Sequence, residues 1–434
     1  MIFGTLTAIY LLASRPIRLI GWLPGMLTLY FFIPLFTLVT MWQTVPLLLA
    51  ARATFKTKFR IGGLAKAIYV ILIFSVTYSS IYAFAFGTEP SRAVIRVLFY
   101  AGMLGLISFG FEMGARADSY AILLKGLAVL GALLAAYGIY QITASYLGLP
   151  FRGILRGGFR VATAFEAGLP RINSLASEPK RLGYVLLISS ISCYYLAKAD
   201  FRRLKYLIVL GVAILGSSVF TFSGSYFAAT ALSAGALILI YGRNSLGFVF
   251  GVAVFVFGIA IAFQETSISE ALFMGFDRRA DELEVGLDGK FVYRQEFFAW
   301  DYLVRFPHVL LYGVGMGQYN SVFSDFYGFR AGVDQYGNII PLNSNALELV
   351  FDFGLLTTIG IYFVIALLVH KLRRAGEDFF CVVLVILTMQ SFTILTMHFI
   401  ALFVGLGGGR LWLSRRRRQP QTSHPGLARL PKIV

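Results

Sequence analysis

The chain has 434 residues, of which 58% are hydrophobic and 16% aromatic, and its mean hydropathy is +0.76. Only 14% of residues are charged, against about 25% in ordinary soluble domains, which excludes a water-soluble globular fold. A net charge of +17 would point to nucleic acid in a soluble protein. In so apolar a chain it reads instead as topology signal, and no nucleic-acid partner is expected.

Apolar runs long enough to cross a bilayer as helix recur along most of the sequence. The predicted spans are 2–14, 20–48, 63–86, 94–113, 120–147, 182–198, 204–221, 225–241, 246–263, 346–370, 379–396 and 398–413. The expected fold class is therefore an all-α membrane protein, a polytopic bundle of about twelve transmembrane helices. The period-2 alternation of a membrane β-barrel is absent. Residues 1–418 read as a single integral membrane domain and 419–434 as a disordered cytoplasmic tail. The N-terminal stretch lacks a charged leader and a cleavage site, so it reads as a first span rather than a removed signal.

Basic clusters set the orientation. Arg52, Lys56, Lys58 and Arg60 form one; Lys198, Arg202, Arg203 and Lys205 a second; Lys371, Arg373 and Arg374 a third; and Arg415 to Arg418 a fourth. With twelve spans all four fall on one side, the cytoplasm, while Arg15 and Arg18 face out against the rule. Two substantial loops are then left outside, 148–181 and 264–345. The second is the more telling, because loops beyond roughly 15 residues are usually functional.

The first outer loop carries Arg152, Arg156, Arg160, Arg171, Lys180 and Arg181 with only Glu166 and Glu178. Clustered guanidinium forks suit phosphate, and at a bilayer surface they suggest a diphosphate headgroup. Snorkelling at loop ends is the competing reading for any single arginine. Glu178 precedes Pro179 at a span entry, where it can face the helix dipole or act as a general base on a hydroxyl. In the long loop, Arg294, Phe297, Trp300, Tyr302 and Arg305 follow helical spacing and predict an interfacial amphipathic helix. GVGMG lacks a preceding strand and a following Lys-Ser/Thr, so it predicts a flexible turn, not a nucleotide site. Glu348 and Asp352 are four apart and share a helix face near the outer end of a span.

Cys193 and Cys381 both lie in apolar runs, and the four histidines have no ligand spacing. No metal and no cofactor are expected. Paired broken spans of the transporter type are not evident.

Three stretches carry a resemblance: RINSLASEPKRLGYVLL, VFTFSGSYFAATALSAGALI, and YRQEFFAWDYLVRFPHVLLYGVGMGQYNSVF followed by NSNALELVFDFGLL. In order and spacing they resemble the bacterial O-antigen polymerases and O-antigen ligases, multi-span glycosyltransferases that use undecaprenyl-diphosphate-linked glycans. The ligases commonly have His-Asn where this chain has Asn343-Ser344, and the family's Ser-Arg turn is here Ser223-Gly224. Both departures favour a polymerase.

The resemblance implies a helical bundle in the bacterial inner membrane with a periplasm-facing cavity. It implies an undecaprenyl-diphosphate-linked oligosaccharide as donor, a lipid-linked repeat unit as acceptor and, as a further partner, a chain-length regulator. On that reading Arg171 and Arg294 bind the diphosphate, assisted by Arg160, Arg181, Arg278 and Arg305. Glu178 orients or deprotonates the acceptor. Asn343 and Asn345 hydrogen-bond sugar hydroxyls, and Tyr293, Trp300 and Tyr319 stack on sugar faces. A ligase and a flippase of lipid-linked oligosaccharide are the alternatives.

Overall fold

In a computed structural model the protein is a helical bundle. The structure describes residues 16–28, 45–51, 61–87, 89–151, short stretches between 155 and 176, 179–199, 204–242, 295–327, 342, 344–390 and 394–418. The helices are α1 (Pro16–Thr28), α2 (Gly63–Phe86), α3 (Pro90–Gly114), α4 (Ser119–Leu147), α5 (Pro179–Ala199), α6 (Leu204–Val219) and α7 (Gly224–Tyr241). Then follow α8 (Gln295–Arg305), α9 (Val309–Tyr312), α10 (Tyr319–Tyr327), α11 (Asn345–Phe353), α12 (Leu355–Ala375), α13 (Asp378–Met389) and α14 (Ile394–Arg418). Between α4 and α5 the strands β1 (Leu155–Arg156), β2 (Phe159–Arg160), β3 (Phe165–Glu166) and β4 (Leu169–Pro170) form two small antiparallel hairpins.

Six helices are long and apolar enough to cross a membrane: α2, α3, α4, α5, α12 and the 396–417 stretch of α14. Shorter apolar helices occupy Leu19–Thr28, Leu204–Val219, Tyr226–Tyr241 and Asp378–Met389. The described residues thus fall short of the dozen spans expected, and the predicted spans at 2–14 and 246–263 lie outside them. The outer surface is apolar where a soluble protein would be polar: Phe74 is 75% exposed, Leu356 79% and Leu239 87%. An exterior of that kind suits hydrocarbon rather than water. The chain is a membrane protein.

The tightest packing joins α3 to α14. Gly110 and Gly114 on α3 face Gly405 and Gly409 on α14. A Cβ at any of the four would collide with partner backbone around Ile107, Phe111, Leu402 or Leu406. Glycines four apart on both helices let the backbones approach, the form of close packing that holds helices together in lipid. Around this seam Phe111, Leu402, Phe403 and Leu406 are fully or almost fully buried.

The predicted span 346–370 is two helices, not one. Gly354, at φ 86, ends α11 and begins α12, and a side chain there would strike the backbone of Leu311 and Tyr312. A hydrophobic run carries no mark of this break, because both halves are apolar.

Candidate functional site

Helices α8 to α11, with Leu342, share a second hydrophobic cluster beside the main core. Leu303, Tyr319, Phe323 and Phe351 are at its centre, and the Phe323 and Phe351 rings meet edge to face at 5.2 Å. Helices α8 to α10 come from the stretch that sequence reading treats as one long outer loop, and α11 from the start of the predicted span after it. α8 answers the amphipathic helix expected from Arg294 onward, and α9 and α10 add local order after it. Residues 264–294 and 328–341 lie outside the described residues.

α11 docks this layer onto α2 and α3 through a polar face. Ser344 caps the helix by accepting from Leu347 N at 3.3 Å, which fixes the rotation of the following turns. Asn345, Glu348 and Asp352, spaced for one helix face, are then buried at 1%, 2% and 0% exposure. Arg96 of α3 meets them: its Nη2 is 3.5 Å from Glu348 Oε1 and its Nε is 3.6 Å from Asp352 Oδ2. Tyr100, one turn further on, donates to Asp352 Oδ2 at 2.7 Å. Ser79 of α2 donates to the Asp352 carbonyl at 2.5 Å. The Arg96 guanidinium also lies 5.9 Å from the centroid of the Tyr319 ring, which is itself buried.

The GVGMG segment completes this arrangement, and it is a packed turn rather than the flexible one expected. Gly315 and Gly317 have φ of 94° and 70°, and Met316 is fully buried. Side chains at the two glycines would press on Ala83 of α2 and on Arg92 and Arg96 of α3. The conformation turns the Gly317 N–H onto Asp352 Oδ1 at 3.0 Å. Next to it Gln318 Nε2 donates to Glu89 O at 3.0 Å while Glu89 N donates to Gln318 Oε1 at 3.2 Å. Glu89 also pairs with Arg92.

Asp352 is thus satisfied, but its neighbours are not. Among the described residues, both amide atoms of Asn345, Glu348 Oε2, Asn320 Oδ1 and Arg92 Nη1 are buried without a hydrogen-bond partner, as are the hydroxyls of Ser321 and Ser324. Each such group costs about 1–3 kcal/mol if nothing fills the space beside it. They concentrate on α10, α11 and the facing turn of α3.

The residues expected from sequence fare differently. Asn345 and Tyr319 belong to this cluster, but Tyr319 is covered and its ring faces Arg96, so it offers no open face for a sugar. Arg181 is not a surface ligand: it is 3% exposed and donates to the Leu27 carbonyl at 2.5 Å, tying α5 to α1. Arg305 is exposed and holds Asp301 at 2.7 Å, a pair that Tyr327 joins by donating to Asp301 at 2.6 Å. The Tyr327 bond, then Arg305, hold the Asp301 carboxyl below its ordinary range, while burial and the Asp301 charge raise the Tyr327 phenol. Trp300 is 59% exposed on α8, away from the cluster. Arg160 contributes backbone to β2. Glu178, Arg171, Arg294, Arg278, Tyr293 and Asn343 lie outside the described residues.

Arg96 is the residue that sequence reasoning missed. The signal was present: a cation inside an apolar span demands an opposite charge, and Glu348 and Asp352 were the acidic pair already noted at a span end. Among the described residues no group of His, Cys, Asp and Glu has the arrangement of a metal site. Compared with known proteins, the sequence matches no family model and no curated protein at a significant level.

Proposed function

We propose that this chain is an inner-membrane glycosyltransferase that polymerises surface-polysaccharide repeat units. It transfers a glycan from undecaprenyl diphosphate to a lipid-linked repeat unit at the periplasmic face. The observation that carries the reading is that the stretch resembling O-antigen polymerases folds into one layer, α8 to α11. Its inner face gathers buried, uncommitted hydrogen-bonding groups against α3. Such groups suit a polyhydroxylated substrate. The diphosphate is already a good leaving group, so the remaining task is to stabilise its charge, to which preorganised donors typically contribute a few kcal/mol each. Arg171 and Arg294 are the proposed ligands for it, with Arg160 and Arg278 as proposed secondary ligands, and Glu178 is proposed to orient the acceptor hydroxyl.

The test is reconstitution. Purified protein in vesicles, given lipid-linked repeat units and no nucleotide sugar, should produce longer lipid-linked chains and release undecaprenyl diphosphate. Arg294→Lys keeps the charge but loses the fork, and should lower elongation by about tenfold or more. Full activity in that variant would remove Arg294 from the diphosphate ligands, and no elongation by the wild type would remove the polymerase reading.

One observation favours a second reading. Arg96, Glu348 and Asp352 are ionisable groups inside the helical packing, a feature also of transporters. A flippase of lipid-linked oligosaccharide would move labelled repeat units across the vesicle membrane without lengthening them.

A further inference from the structure

Helices α7 and α12 both pack on α13 and leave a groove of about 390 Å³ between them. Its walls include Leu239 of α7, Ile365, Ala366 and Val369 of α12, and Val385 and Met389 of α13. The groove is apolar along its length and basic at one end. His370 and Arg373 line that end, and Lys371 and Arg374 are exposed beside them on α12. The Arg373 guanidinium lies 5.5 Å from the centroid of the Tyr241 ring on α7, and Tyr241 donates to Asp378 Oδ1 of α13 at 2.9 Å. The neighbouring Glu377 is taken by Arg410 at 3.1 Å. Lys371, Arg373 and Arg374 therefore outweigh Asp378, and the mouth of the groove carries net positive charge.

The dimensions narrow the choice of occupant. From Tyr362 to Arg373, both in the lining, α12 rises about 16 Å, half of the roughly 30 Å of a bilayer's hydrocarbon. The groove thus spans one leaflet. By the positive-inside rule its basic mouth is at the cytoplasmic surface, where acidic headgroups attract cations. We infer that this groove binds one acidic phospholipid of the cytoplasmic leaflet, with an acyl chain between α7 and α12 and the phosphate at Arg373. A guanidinium can donate two parallel bonds to a phosphate, and a site one leaflet deep suits an acyl chain rather than the much longer isoprenoid of a glycan carrier. The inference does not rest on the glycosyltransferase reading, because the mouth is at the end of α12 remote from α11.

The experiment is native mass spectrometry of the purified full-length protein, with phosphatidylglycerol and phosphatidylcholine of matched acyl chains as probes. The wild type should hold one phosphatidylglycerol about fivefold more tightly than phosphatidylcholine. Arg373→Gln should remove that preference without weakening phosphatidylcholine. Ala366→Trp, which fills the groove from an exposed position, should weaken both lipids. Ala236→Trp fills it from α7 and keeps the test intact if Ala366→Trp fails to fold. Equal affinity of the wild type for the two lipids would overturn the site, as would an unchanged preference in Arg373→Gln or unchanged binding in a folded groove-filling variant. Tighter retention of undecaprenyl diphosphate than of phosphatidylglycerol, lost in Arg373→Gln, would overturn the phospholipid assignment and give the groove to the glycan carrier. The expected lipid pattern in a protein that never elongates repeat units would leave the groove standing and remove the polymerase reading.

Discussion

Helix α3 is held in two contrasting ways. At its C-terminal end Gly110 and Gly114 lie backbone to backbone against Gly405 and Gly409 of α14, through main-chain atoms alone. At its N-terminal end Arg96 and Tyr100 hold α11 through ions and hydrogen bonds. The glycine seam is complete, since any added atom collides. The polar seam is incomplete, with Asn345 and one oxygen of Glu348 still unpartnered. A chain in lipid has little hydrophobic force between helices, so it uses close packing where it needs rigidity. Incomplete polar contact is costly, so the two seams are stabilised by different forces.

The largest effect should come from filling the glycine seam. Gly405→Leu is expected to cost at least about 3 kcal/mol, because the clash is with backbone and no side chain can move aside. It would appear as loss of folded protein in detergent. At the polar seam Arg96→Met should cost about 3–5 kcal/mol, since two buried carboxylates lose their cation. Simultaneous neutralisation of both carboxylates (Glu348→Gln with Asp352→Asn) should restore much of that loss. Failure of the triple variant to recover in a thermal unfolding series would mean that the ions are not what joins α3 to α11. Tyr100→Phe removes one hydrogen bond to a charged oxygen and should cost about 1.5–3 kcal/mol.

The smallest effect belongs to the exposed pair on α8. Asp301→Asn should lower the melting temperature at neutral pH only slightly, because Arg305 and Asp301 are both substantially exposed. The folded Asp301 carboxyl lies below its usual range, so its contribution is full above the ordinary carboxylate pKa and disappears as pH falls through the depressed value. The variant should therefore lose a slight acid-side dependence of stability. A clear loss at neutral pH would instead give this pair a structural part equal to the buried one.

What the sequence revealed follows the same division. Spans 63–86, 120–147 and 182–198 matched α2, α4 and α5 closely, because long apolar runs in lipid have no competing fold. The α11–α12 break was hidden, since Gly354 interrupts geometry and not hydropathy. Glu348 and Asp352 were seen as a pair, but their partner was 250 residues away on a helix read only for its apolar side chains, so Arg96 passed unnoticed. Arg181 looked like a phosphate ligand by type, and only packing revealed its bond to the Leu27 carbonyl. Residue chemistry was legible; which groups were already engaged by other helices was not.

The most direct measurement is the glycan profile of a cell lacking this protein, resolved by size and by carrier. If the proposed polymerase activity is right, single repeat units remain on undecaprenyl diphosphate at the periplasmic face and no long chains form. Long chains stranded on that carrier would contradict it in favour of a ligase, and repeat units trapped on the cytoplasmic face would contradict it in favour of a flippase.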